Sequence, residues 1–109
     1  AKEQVLSLVN AGYQPPVKET HYVLGEKSLS VMKTMLYVMH EAGYATDYDR
    51  VVSGRVANVL AGGPLSEPQF VPEDYLMRLE REAILTCFKD ERTHSRMEHM
   101  LKTGKPLRN

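Results

Sequence analysis

Apolar residues recur at spacings of three and four through most of the chain, the period of a helix with one face turned inward, and the alternation of a half-buried strand is almost absent. The pattern predicts an all-α region, a single unit over residues 1–109 with helices at about 2–11, 26–42, 46–61, 72–88 and 91–103. The first helix sets Val5, Leu6 and Val9 on one stripe and stops at Gly12, a residue suited to the left-handed conformation after a helix end. Pro15 and Pro16 forbid helix, so Val17 to Gly25 is expected to cross the surface in extended form. The second helix carries Leu29, Met32, Met35, Leu36 and Met39 as its inward stripe and ends at Gly43.

Thr46 is the expected cap of the third helix, accepting from the N–H three residues on, with Asp47 and Asp49 at the positive end of the dipole. Val52, Val56, Val59 and Leu60 form its apolar face, and Gly62-Gly63-Pro64 ends it. Pro72 is expected to open the fourth helix at its first position, with Tyr75, Leu76, Leu79, Ala83 and Ile84 on one side and Arg78 paired with Glu82 on the other. The last helix offers only Met97, Met100 and Leu101 for contact, which predicts shallow docking. Gly12-Tyr13 and Gly43-Tyr44 repeat one device, a glycine stop followed by an aromatic that can fold back on its helix.

Composition adds bounds. Hydrophobic residues make up 42% and charged residues 26%, with Lys+Arg equal to Asp+Glu at 14 each, as in an ordinary globular chain. The balance gives no electrostatic reason to expect nucleic acid, and a helix beginning with Asp47 and Asp49 is a poor reader of phosphates. No apolar run approaches the roughly 18 residues of a membrane span, and the polar start lacks the features of a signal peptide, so a cytoplasmic setting is expected. The lone Cys87 fits a reducing compartment and reads as a small core hydrophobe. Ala1 is not an initiator Met and no capping residue precedes Lys2, so the chain reads as starting inside a helix, as a piece of a larger protein would.

Catalytic constellations are not visible. His94 and His99 stand five apart, off the three- or four-residue spacing of paired helical ligands, and no metal site is expected. Glu80 and Glu82 point in different directions on a helix, and no phosphate-binding glycine loop follows a strand. No catalytic residue is therefore assigned. The one charge asymmetry is the tail, where Lys102, Lys105 and Arg108 occur without an acid.

The blocks Gly12-Tyr13-Gln14-Pro15-Pro16, Val59-Leu60-Ala61-Gly62-Gly63, Leu79-Glu80-Arg81-Glu82-Ala83 and the run from Met100 to Asn109 resemble, in order and over essentially the whole chain, a known family terminus. It is the extreme C-terminus of bacterial fusions of 3-hydroxyacyl-CoA dehydrogenase with a crotonase-like enoyl-CoA hydratase/isomerase domain, enzymes of fatty-acid β-oxidation. The resemblance implies that the catalytic parts, with NAD and acyl-CoA as the parent's ligands, lie in upstream domains. This segment would then have no turnover of its own. In crotonase-like proteins a terminal Phe-x-x-Lys-Arg-Lys-Pro stretch approaches coenzyme A, and the matching residues here are Met100-Leu101-Lys102-Thr103-Gly104-Lys105-Pro106. Lys105 and Pro106 keep their types, Met100, Thr103 and Gly104 do not, and Lys102 supplies a nearby charge. The resemblance thus implies Lys102 and Lys105 as contacts to coenzyme A phosphates.

The resulting expectation is a helical docking and assembly region whose stripes cover the parent's upstream domains. Even 400 Å2 of bare apolar area would cost on the order of 10 kcal/mol, so the isolated segment should self-associate. The alternative is a free-standing helical protein-interaction module without an enzymatic role.

Overall fold

The computed structural model describes residues 1–109. Five helices form: α1 (Lys2–Asn10), α2 (Glu26–Glu41), α3 (Asp47–Leu60), α4 (Glu73–Phe88) and α5 (Glu91–Thr103). Thr46 caps α3 as expected: its hydroxyl accepts from the Asp49 N–H at 3.1 Å, and the Asp49 carboxylate accepts from the Thr46 N–H at 2.9 Å, closing a capping box. The ends of α1, α2 and α3 share one stop, in which the glycine N–H and the next N–H both reach back to the last turn, as in Gly43 to His40 O and Tyr44 to Met39 O, each at 2.9 Å. The tyrosines of the first two stops do not fold back: Tyr13 and Tyr44 are exposed.

The helical reading needs one addition and several corrections. Residues expected to be merely extended form β1 (Thr20–Val23), which pairs antiparallel with β2 (Gln69–Pro72) in the register Thr20↔Pro72 through Val23↔Gln69. Each strand is only four residues long, too short for alternation to show in a sequence. Pro72 ends β2 and sits just before α4 with ψ 151°, so Glu73 is the first helical residue. Arg78 does not pair with Glu82; its guanidinium lies 5.3 Å from the centre of the Tyr75 ring one turn back, where an apolar face and a cation meet with less loss of side-chain freedom.

The strands and the loop after α3 are stitched tightly. Gly25 donates to Ala61 O at 2.9 Å and Glu26 to Leu65 O at 2.8 Å. Gly25 has φ 73°, and a Cβ there would strike the Leu65 carbonyl. Gly62, at φ 82°, leaves no room for a Cβ against Val23, and its carbonyl accepts from the Tyr75 hydroxyl at 2.9 Å. This knot holds the α2 start, the α3 end and the α4 start in fixed relation.

Beyond the knot the helices pack neighbour to neighbour, α2 on α3, α3 on α4 and α4 on α5, and do not close into a bundle. The small core lies between α2 and α3, where Leu29, Ala57 and Ala61 are buried and Met32 and Leu36 pack beside them. Only nine of the 109 residues are buried. The radius of gyration is 19.1 Å, against about 13 Å for a compact domain of this length. The surface of 8491 Å2 exceeds by roughly 2,000 Å2 what a globular protein of this mass exposes. The slab measures 58 × 43 × 21 Å and leaves both broad sides of α3 open.

Candidate functional site

Because α2 and α4 flank α3, two opposite stripes of α3 remain unpacked, and they differ in chemistry. Val52, Val56 and Leu60 follow one another at four-residue steps, and Arg50, Gly54 and Asn58 do the same two residues out of phase, about 200° around the helix. The first stripe is apolar and the second polar.

On the apolar side, Val56 is 52% and Leu60 67% exposed. Val52, Val56 and Leu60 line a groove of about 330 Å3 with Ile84 and Cys87 of α4. Leu60 also borders a second hollow of about 770 Å3 that reaches Val31 of α2 and Tyr22 of β1. Met35 and Val38 continue the Val31 stripe along α2 and are likewise exposed. At the edge, Tyr22 packs against Phe70 with ring centres 5.1 Å apart, and both remain mostly exposed. The face is therefore a continuous apolar surface drawn from α2, α3, α4 and the sheet. Of the inward stripe expected on α2, Leu29, Met32 and Leu36 pack into the core, whereas Met35 and Met39 are exposed, and the apolar face of α3 is bare at Val56 and Leu60. Cys87 is half-buried in the groove wall rather than in a core, with Arg55 Nη1 3.6 Å from its sulfur.

The polar side is a trough whose floor is Gly54. A Cβ at Gly54 would meet nothing within 4 Å. Two hollows of about 410 and 440 Å3 share Lys33, Val51 and Gly54; the first adds Arg50 and Asp47, the second Arg55, Asn58 and Glu82. Lys33, Arg50 and Arg55 make no ion pair within the chain, although Arg50 lies 5.5 Å from the centre of the Tyr37 ring. Asp47 is engaged elsewhere: its Oδ1 is 2.6 Å from His40 Nε2, and Glu41 Oε1 stands 3.2 Å from His40 Nδ1. Both ring nitrogens thus face carboxylate oxygens, which suits the imidazolium, and Asp47 first, then Glu41, raises the His40 pKa above 6.5.

The third constructed feature joins α3 to α5. Tyr48 is 1% exposed and its ring is contacted by two guanidiniums, Arg92 at 4.4 Å and Arg96 at 4.9 Å from the ring centre. Its hydroxyl bonds Thr93. Asp90 neutralises Arg92 at 2.7 Å and Asp49 neutralises Arg96 at 2.8 Å. The Thr46 N–H and then Arg96 hold the Asp49 carboxyl down at about 2, and the Arg92 side chain, then its N–H, do the same for Asp90. Arg96 Nε also donates to Asn109 Oδ1 at 2.6 Å, and Arg108 donates to Tyr44 O at 3.1 Å, so the last residues return to the α2–α3 corner. Docking of α5 is therefore polar and specific: Met97 and Met100 stay half-exposed and Leu101 is 86% exposed.

The residues singled out in the sequence fall outside these features. Lys102 Nζ is paired with Glu98 one turn back, and the pair lowers the Glu98 pKa. Lys105 is exposed beyond the end of α5, with its N–H on the Thr103 hydroxyl at 3.2 Å. His94 Nε2 is 2.7 Å from Phe88 O at the α4–α5 corner, and no three His, Cys, Asp or Glu side chains come together. Sequence reasoning missed Gly54 with Lys33, Arg50 and Arg55. Its signal was a glycine inside an otherwise regular helix, with cations four residues before and one after.

Neither a family model nor a solved structure gives a significant match to this chain. Over all 109 residues it is 38% identical to a probable 3-hydroxyacyl-CoA dehydrogenase of Bacillus subtilis (strain 168), and it spans 14% of that protein's length.

Proposed function

We propose that this chain is the non-catalytic C-terminal docking and assembly region of a 3-hydroxyacyl-CoA dehydrogenase of fatty-acid β-oxidation that carries a crotonase-like domain. The observation that carries the reading is the bare apolar face of α2, α3 and α4 in an open array with a radius of gyration of 19.1 Å. Isolated apolar residues on a surface are ordinary, but a contiguous apolar face is a mark of a missing partner. The 38% identity over the whole chain, to a protein of which it spans 14%, supports upstream domains of the same polypeptide as that partner. In this reading the body of the dehydrogenase lies against Val31, Val56, Leu60 and Ile84, and nicotinamide and thioester chemistry belong to it. Lys102 and Lys105 then extend toward the phosphates of coenzyme A, Lys105 as the free cation and Lys102 once released from Glu98. An exposed pair of that kind is worth little, so release would be easy.

Sedimentation of the 109-residue chain is the test. With its natural cover missing, the face should drive concentration-dependent dimers or larger species, and Val56→Lys with Leu60→Glu should return the chain to monomer without loss of helical circular dichroism. A strict monomer at high micromolar concentration in the unsubstituted chain would remove the docking reading.

A further inference from the structure

We infer that the trough over Gly54, on the side of α3 away from the apolar face, is a binding site for a phosphate-bearing small molecule. The inference does not depend on the identity of the body that covers the other side.

Gly54 begins the argument. Glycine inside a helix destabilises it by about 1 kcal/mol relative to alanine. Nothing in the chain approaches closely enough to require it, since an added Cβ would meet no atom within 4 Å. What glycine does provide is a bare patch of helix backbone at the lowest point of the trough. The surroundings specify what could lie there. Lys33 reaches in from α2, Arg50 stands one turn before Gly54, and Arg55 is next to it, so that both hollows sharing this floor are lined by cations. None of the three is neutralised by a carboxylate within ion-pair distance, whereas the Arg92 and Arg96 guanidiniums that pack on Tyr48 both are. Of the two acids at the rim, Asp47 is held by His40, which leaves Glu82 as the only carboxylate there without such a partner.

The Arg50 guanidinium and the Lys33 ammonium suit oxyanions, because the planar fork of arginine matches two oxygens at once and lysine adds a point charge; Arg55, whose Nη1 lies 3.6 Å from Cys87 Sγ, lines the second hollow and adds its charge from the α4 side. Arg50 and Arg55 are five residues apart, so their backbone positions are separated by about 7.5 Å along the helix axis, with Lys33 lining both hollows. Each hollow, at about 410 and 440 Å3, lies in the range of small-molecule sites. The Asn58 side chain makes no hydrogen bond within the chain and is placed in the hollow beside Arg55, where it can meet a polar group linked to the phosphate. Glu82 then acts as the repulsive element that disfavours a more highly charged ligand at that end.

Inorganic pyrophosphate, titrated into the 109-residue chain and followed by amide chemical shifts, tests the site. Saturable shifts are expected at Arg50 to Asn58 and at Lys33. Lys33→Gln and Arg50→Gln should each weaken binding about tenfold, as loss of one charge-assisted contact does. Gly54→Leu, which the open floor accommodates without unfolding the helix, should abolish it, and Glu82→Gln should tighten it. No saturable shift, or binding that survives Gly54→Leu, would overturn the inference. So would shifts that map to the tail and vanish with Lys102→Ala plus Lys105→Ala, since the ligand would then lie at the helix end. A tetraglutamate peptide binding the trough more tightly than pyrophosphate would replace the small molecule by an acidic segment of protein. None of these outcomes alters the state of association, which alone reports on the apolar face.

Discussion

The two terminal helices reverse what their compositions suggest. α1 has the better apolar stripe, yet Val5, Leu6 and Val9 are all at least half exposed and none of its residues is buried. α5 has three large apolar residues, all substantially exposed, yet it is fixed through Tyr48, Arg92, Arg96 and the returning tail. Attachment of α5 is thus carried by specific polar and cation–aromatic contacts, which need no second apolar surface. The outward apolar residues of α1, α2 and α3, among them Val9, Met35 and Val56, are left bare. A buried aromatic ring contacted by two neutralised arginines fixes a helix more specifically than a greasy contact that could slide or exchange.

The largest effect should follow from removing the ring itself. Tyr48→Ala deletes a buried aromatic and both guanidinium contacts, and should lower stability by about 3–5 kcal/mol, a large part of what a domain of this size possesses. Tyr48→Phe loses only the bond to Thr93 and should cost about 1 kcal/mol. Urea midpoints measure both, and amide exchange in α5 should rise far more in the alanine variant. A Tyr48→Ala midpoint close to that of the unsubstituted chain would show that α5 is held elsewhere.

An intermediate effect comes from Asp49, which serves the cap of α3 and neutralises Arg96 on the Tyr48 ring. With a third of its side chain exposed, it merits about 1–2 kcal/mol rather than the full value of a buried pair. The Thr46 N–H and Arg96 hold its carboxyl at about 2 in the folded chain, below the ordinary aspartate value of 3.8. The folded state therefore binds this proton less readily than the unfolded chain does, so the stabilisation is present above about pH 4 and fades as pH falls toward 2. Asp49→Ala should be less stable at pH 7, and the gap should narrow across that acid window when both proteins are unfolded in urea. A gap independent of pH would assign the loss to the helix cap's shape and not to charge.

These contacts also mark how far the sequence could be read. Helix positions follow from three- and four-residue spacing and from glycine stops, and all five helices stand within about two residues of the spans read from the sequence. The Thr46 cap with its two acids is local chemistry and is equally legible. The β1–β2 pair is not, because it joins residues roughly 50 positions apart through backbone bonds, from Thr20↔Pro72 to Val23↔Gln69. Nor is the Tyr48 site, which depends on α5 returning across 45 residues to present Thr93. The same limit applies to function. Lys102 and Lys105 stood out because they are close in sequence, whereas Lys33, Arg50 and Arg55 are brought to one trough only by the packing of α2 on α3. A stripe of apolar residues also looks alike whether its partner is in the chain or outside it, so the spacing shows the Val56 and Leu60 face of α3 without showing that α2 and α4 leave it bare.

The smallest effect should come from the other terminal helix. α1 is nine residues long, shorter than the roughly 12–15 needed for a helix to persist alone in water, and its N-terminal cap position, Ala1, supplies no side-chain bond. It is joined to β1 by a segment containing Pro15 and Pro16, which carries no helical coupling to the rest. Deleting residues 1–12 should therefore change the urea midpoint of the remaining chain by no more than about 0.5 kcal/mol in free energy, the range of surface changes that touch nothing. Its amides should exchange orders of magnitude faster than those of α3 in the intact chain. A loss of 2 kcal/mol or more on deletion would mean that Val5, Leu6 and Val9 find a partner inside this chain in solution. The contrast between a helix held by polar contacts and a helix left free would then collapse into two ordinary docked termini.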